Sequence, residues 1–233
     1  MAQIRFFDLE LNIPGQIWSP NTCKTRFALN IKNISYETEW VTFSNLYTII
    51  PAITKTDKKP TVPIIVDLSH HNKVIQDSWD IALYLEENFP DTPSLFHGNV
   101  GLHKFFYDYC TFNILPILFK MIVLSIDCGP SQAWFRKNNE AKFGTTLEVY
   151  AGDSNKNMEA LKLALVPIYH VLKKYPFITG DKVGWADVVL AAHFTMLQEL
   201  RPDLFKLVFA HPLLSAWWKL TYKYRTGNVP ASL

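Results

Sequence analysis

Residues 18–26 read Trp18-Ser19-Pro20-Asn21-Thr22-Cys23-Lys24-Thr25-Arg26. A serine stands directly before a proline, and a helical pattern starts there, with Cys23, Phe27 and Ala28 at helical spacing as far as Asn30. Proline suits the first helical turn, where its missing N–H would have no partner. The free amides and the dipole of such a helix favour negative charge in front of Ser19. On this turn alone Ser19 has two readings. It caps the helix, a common use of serine, or it offers its hydroxyl to an anionic ligand. No Gly-x-Ser-x-Gly elbow surrounds it, so a nucleophilic role lacks its usual setting.

Outward from this turn, strand and helix alternate. Ile4 to Asp8 and Tyr36 to Val41 predict strands on either side of the Asn21–Asn30 helix. Leu46 to Ile50 predicts a short helical turn closed by Pro51. Thr61-Val62-Pro63-Ile64-Ile65-Val66 places a proline at the head of an apolar strand running from Val62 to Asp67. The turn cluster Ser69-His70-His71-Asn72 and a return strand from Lys73 to Ile75 make a hairpin. Gln76-Asp77-Ser78 then precedes an amphipathic helix from Ser78 to Asn88, ended before Pro90. The order βαβ then ββα predicts a small mixed sheet with helices on its faces. Phe89-Pro90-Asp91-Thr92-Pro93 is a linker by composition. Beyond it, helical patterns cover Leu102 to Ile126, Met158 to Lys174, Ala186 to Leu200 and His211 to Tyr224. The fold class is an α/β domain, residues 1–91, followed by an all-α domain, residues 101–233.

Composition limits the function. The chain has 233 residues, 48% hydrophobic and 14% aromatic, enough to bury a large core. Its net charge of +2 makes no case for a nucleic-acid or membrane-surface partner. Lys55, Lys58 and Lys59 read as a solvated, proline-flanked loop. The N-terminus has no basic head followed by an apolar core, and the run Ile114–Ile126 is too short for a membrane span. Three cysteines, Cys23, Cys110 and Cys128, fit a reducing cytoplasm better than a disulfide framework. Asn33-Ile34-Ser35 matches a glycosylation sequon that has no use there.

Three turns therefore carry the candidate site. Val62-Pro63, if cis, turns the Val62 backbone outward to pair with an extended peptide-like ligand. The competing reading is an ordinary trans proline opening a strand. Ser78 at a helix N-terminus suits a carboxylate and Asp77 an ammonium group; together they fit an amino-acid zwitterion, and Ser78 also reads as a cap. Cys23 lies four residues after Ser19 without a Cys-x-x-Cys partner, which favours packing over redox chemistry. His70 and His71 sit in a hairpin turn with no spaced partner, so no metal is expected. Tyr107, Phe112, Trp134 and Phe135 are candidates for a hydrophobic acceptor pocket, with core packing as the alternative.

These residues resemble the cytosolic glutathione transferases over nearly the whole chain. The resemblance implies a thioredoxin-like N-terminal domain that binds glutathione and an all-helical domain that forms the acceptor site. Ser19 falls where serine-type members carry their catalytic hydroxyl, Val62-Pro63 at the cis-proline turn, and Asp77-Ser78 at the pair that binds the γ-glutamyl end. Gly180 to Leu190 resembles the helix-capping motif, with Gly184 where Ser or Thr is usual. Thr61 stands where a basic residue is frequent, with Lys59 upstream, so the contact to the glycine carboxylate stays open. The Trp-Ser-Pro-Asn-Thr-x-Lys-Thr-Arg run is most similar to the fungal serine-type FuA class, relatives of β-etherases. This implies a homodimer acting on hydrophobic or lignin-derived phenolic ligands. A noncatalytic carrier of phenolics on the same fold, and a Cys23-based oxidoreductase, are the competing functions.

Overall fold

The computed structural model describes residues 2–56 and 59–227, so Lys58 lies outside the described residues. Four strands, β1 (Ile4–Leu9), β2 (Tyr36–Val41), β3 (Ile64–Asp67) and β4 (Lys73–Gln76), form one sheet in the order β2-β1-β3-β4. β2 runs parallel to β1, while β3 and β4 run antiparallel to their neighbours. Phe7 pairs with Ile64, and Ile64 with Gln76. The end of β1, the start of β3 and the end of β4 therefore share one edge of the sheet. β1 and β3, covered on both faces, are almost wholly buried, which is why they read as continuous apolar runs.

Helices α1 (Pro20–Ile31), α2 (Leu46–Thr54) and α3 (Ser78–Asn88) complete this half. Two expectations are corrected. Pro51 lies inside α2 instead of closing it; the helix ends at Thr54, with the Lys55 N–H still reaching the Pro51 carbonyl at 2.9 Å and the left-handed backbone of Lys55 (φ 52°) turning the chain away. β3 begins at Ile64, not Val62, because Pro63 has no N–H for a ladder and follows a cis bond.

The second half is helical. α4 (Val100–Tyr109), a π turn (Cys110–Ile114) and α5 (Leu115–Ile122) run on as one rod. It reaches Ser125, 26 residues in all, long and apolar enough by length and composition to cross a membrane, against the expectation from the shorter apolar run. In this fold α4 and α5 pack against α10 (Trp185–Leu200), with His103, Cys110, Ile114 and Leu118 buried. The pattern from Met158 to Lys174 is two helices, α8 (Ser154–Ala164) and α9 (Val166–Leu172), with Pro167 in the first turn of the second. The pattern from His211 to Tyr224 likewise divides at Thr221 into α12 (Pro212–Leu220) and α13 (Tyr222–Thr226). Helices α6 (Gln132–Phe143), α7 (Leu147–Ala151) and α11 (Pro202–Val208) had no sequence expectation.

α10 is the hub. Its residues from Trp185 to Met196 are all buried, and α1 packs on it and on α13. Asp187, fully buried, accepts hydrogen bonds from Ile178 N (2.7 Å), Thr179 N (3.2 Å), Thr179 Oγ1 (2.7 Å), Gly184 N (3.2 Å) and Trp217 Nε1 (2.8 Å). The glycine at 184 has a steric cause. A Cβ there would meet Leu95 O and the Thr179 side chain at 2.8 Å, so the hydroxyl that reaches Asp187 comes from Thr179 instead.

Candidate functional site

Two of the three turns singled out in the sequence meet at the shared sheet edge, Val62-Pro63 just before β3 and Asp77-Ser78 just after β4. Ser19 follows the loop from β1 and sits at the N-cap of α1, nearly buried, with extended backbone (φ −66°, ψ 122°). Its side chain makes no cap bond, so capping is not its use. No acidic residue lies in the first turn of α1, which leaves the positive helix end uncompensated. The Val62–Pro63 bond is cis. The Pro63 carbonyl accepts from Asp77 N at 3.2 Å, and Gln76 Nε2 donates to Thr61 O and Oγ1 at 3.0 and 2.8 Å, tying the second turn to the third. Asp77, at φ 83°, caps α3 by accepting from Trp79 N at 2.8 Å. The capping role considered for Ser78 thus belongs to Asp77, and Ser78 is the first residue of the helix, 2% exposed. Lys59 is exposed on the loop before Pro63.

Next to the third turn lies Lys24, 2% exposed, its Nζ 4.6 Å from the centre of the Tyr107 ring, which is itself 5.8 Å from the ring of Trp79 in the first turn of α3. Burial pulls this ammonium down to about 8, against the charge of Asp77, which holds it up. The Tyr107 hydroxyl is pushed up by burial and by Asp77, while the nearby Ser78 and Thr111 hydroxyls pull the other way. His193 on α10 is fully buried beside Lys24, with neither ring nitrogen partnered, and burial holds it down at about 3.

Residues 18–88 match the N-terminal domain of glutathione S-transferases, and residues 101–204 the C-terminal domain. The crystal structure of glutathione transferase GSTFuA3 from Phanerochaete chrysosporium superposes with a TM-score of 0.85 at 31% identity, over 96% of this chain and 98% of that one. The chain belongs to the glutathione transferase family. A glutathione S-transferase of Ceriporiopsis subvermispora, CsGST63524, solved in complex with glutathione, is 28% identical over the full length of both chains, with a TM-score of 0.86. The glutathione S-transferase-like protein ustS of Aspergillus flavus is 22% identical over 97% of this chain and 92% of its own.

Other candidates take different places in this glutathione transferase fold. Cys23 is 0% exposed and burial pushes its thiol well above the ordinary range, so it lacks the thiolate that an oxidoreductase needs. His70 Nδ1 is engaged with Asp67 at 2.9 Å, and His71 is exposed at φ 57°. The four aromatics do not line one pocket. Phe135 is buried with its ring 5.8 Å from that of Phe43, and Phe112 is 75% exposed. Trp134, half-exposed, stands between Phe43 and Tyr47, with ring centroids 5.8 and 5.9 Å away. Tyr107 belongs to the Asp77–Ser78 corner. Their helical spacing marked them as inward-facing without saying toward what.

A cavity of about 560 Å³ lies on another face of α4, lined among others by Phe105, Phe106, Tyr109, Ile168 and Val171; Ser19, Pro63 and Ser78 do not line it. Polar side chains around it are committed elsewhere. His103 Nδ1 accepts from Ala186 N at 3.1 Å, Tyr109 Oη donates to Ala164 O at 2.6 Å, and Thr179 Oγ1 to Asp187. The cavity is therefore apolar with its polar rim satisfied, whereas the Ser19 hydroxyl makes no cap bond. Lys24 and His193 went without a role in the sequence reading. The one signal was a lysine within a helix that carries little other charge.

Proposed function

We propose that the protein is a serine-type glutathione transferase. Ser19 stabilises the thiolate of glutathione, which is transferred to, or removed from, hydrophobic electrophiles such as lignin-derived phenolics. The observation that carries this reading is the uncommitted Ser19 hydroxyl at the head of α1, in a fold that also brings the cis Val62-Pro63 turn and Asp77-Ser78 to one sheet edge. Val62 pairs with the peptide backbone, Asp77 and Ser78 hold the γ-glutamyl end, and Lys59 is the nearby cation for the glycine carboxylate. Trp134 fits the acceptor side.

The energetics are sufficient. A thiol with a pKa near 8.5 is only a few per cent ionised at pH 7, and lowering it by about two units takes about 2.7 kcal/mol of preference for the thiolate. A hydrogen bond to a charged group supplies about 1.5–3 kcal/mol, and a helix N-terminus about 0.3–1 more. Ser19→Ala is therefore expected to slow conjugation and glutathionyl-reductase turnover by about 10- to 150-fold while glutathione affinity stays within a few-fold. Equal loss of both would remove Ser19 from this role.

The apolar cavity of about 560 Å³ favours a second reading, a noncatalytic carrier of phenolics. Tight phenolic binding with no turnover in either assay would establish it over the enzyme. In either case the protein acts in the cytoplasm, in keeping with three buried free thiols. As an enzyme it acts as a homodimer through the apolar face of α4, where Leu102 and Phe105 are 65% and 71% exposed; in the carrier reading the same two residues line the ligand cavity. Sedimentation equilibrium is expected to give twice the 26.9 kDa chain mass, and a single-chain mass would exclude the dimer.

A further inference from the structure

Three cations are buried in the sheet half, and two have carboxylate partners. Arg26 Nη2 lies 2.7 Å from Asp8, and Lys32 Nζ 3.1 Å from Glu86. Lys24 is as deeply buried, yet no ion pair among the described residues includes it. A buried charge is costly unless an opposite charge meets it. The groups around this ammonium come from four helices. Asp77 heads α3, and Tyr107 and Cys110 come from α4 and the π turn that follows. His193 comes from α10 and Cys23 from α1 itself. Lys104, paired with Asp108 at 2.6 Å, also stands over the Tyr107 ring, at 5.3 Å. Asp108 is taken by Lys104, and Asp77, the carboxylate that acts on Lys24, already accepts the Trp79 amide.

We propose that Lys24 is the counter-charge for the α-carboxylate at the γ-glutamyl end of glutathione, presented next to the Asp77–Ser78 turn beside the Tyr107 ring. The assignment rests on the glutathione reading above and extends it. Ser78 and the amides of α3 hydrogen-bond that carboxylate, Asp77 takes the neighbouring ammonium, and Lys24 supplies the full positive charge that neither provides. The site then favours γ-glutamyl compounds with a free α-carboxylate over amines of the same length without one.

The test uses the full chain and two thiol-blocked probes: S-methylglutathione, and its analogue with 4-aminobutyrate in place of γ-glutamate, which lacks only the α-carboxylate. Calorimetry is expected to show the wild type preferring S-methylglutathione by about 10- to 150-fold. Lys24→Met should lose at least about 10-fold of that preference and keep only the part that Ser78 and the α3 amides supply, and Lys24→Arg should restore some of the loss. A Met variant that keeps the full preference, or loses affinity equally for both probes, would overturn the assignment and leave the glutathione reading standing. A wild type that binds neither probe would overturn both.

A comparison of the wild type with Lys24→Met gives a second readout. Burial lowers the Lys24 ammonium to about 8, the range in which the ligand's own amino group also titrates. Binding S-methylglutathione at pH 8 should take up more protons in the wild type than in Lys24→Met, read from titrations in buffers of different ionisation enthalpy. Equal uptake overturns the assignment.

Discussion

Ser19 shows how a single side chain can stand at a structural position without serving it. It occupies the N-cap of α1 and leaves the cap bond unmade, so the hydroxyl stays available to a ligand. Asp77, by contrast, makes its cap bond and frees Ser78. Both residues were legible in the sequence because turn chemistry is local: a polar residue beside a proline or before a helix has few meanings. Lys24 was not legible, since its burial comes from α4 and α10, far away in sequence. It also makes a prediction about stability. Its folded pKa, about 8, lies below the ordinary 10.5, so the unfolded chain holds more protons between those values and stability rises with pH across that window. Below pH 8 the cost of the buried ammonium is present in full. Lys24→Met is expected to be more stable than the wild type at pH 7 by about 1–3 kcal/mol, with the gap closing toward pH 10.5. Denaturant melts at the two pH values check this, and a Met variant less stable at pH 7 would refute it.

Among elements, the strands were easier to read than the helices. Alternation and turn residues located all four strands to within two residues, whereas α1 was read as a helix with one buried face and is buried on nearly every side. Periodicity reports only that some face is apolar. The division between α8 and α9 had its signal in Pro167, which cannot sit freely in a helix interior. The π turn had none. Thr111 Oγ1 bonds the Tyr107 carbonyl at 2.8 Å and Asn113 Nδ2 the Tyr109 carbonyl at 3.0 Å around it, contacts that an ordinary helix also makes. α10 carries the prediction at this scale. Asp187→Ala would leave five buried or half-buried donors from the Ile178–Gly184 loop and α12 without their acceptor. The expected loss is about 3–5 kcal/mol in chemical denaturation. A loss below about 1 kcal/mol would mean that water replaces the carboxylate.

At the scale of the whole molecule, the order of elements led to the right fold class, because βαβ followed by ββα and then helices leaves few arrangements. The way the two halves meet was out of reach. No local pattern says that α1 docks on α10, that Ser44 and Ser131 hydroxyls lie 2.7 Å apart across the halves, or that Tyr107 turns toward Asp77 instead of an acceptor. The four aromatics accordingly do not lie together, whereas the Val62-Pro63 and Asp77-Ser78 turns are joined by hydrogen bonds.

The enclosure of α1 also governs how this chain can be divided. Cys23, Phe27, Ala28 and Leu29 on that helix are all within 1% of full burial, and α10 and α13, which pack on it, lie beyond the linker. The first 91 residues alone would expose that surface to water, so the sheet half lacks part of its own core. Expressed by itself, the fragment is expected to give an uncooperative thermal melt and poor amide dispersion, and a sharp transition would count against this. Exchanging helical halves between relatives at the Pro90–Pro93 linker should therefore succeed only where the incoming α10 and C-terminal helix match the surface of α1. The seam visible in the composition is not the seam along which the molecule comes apart.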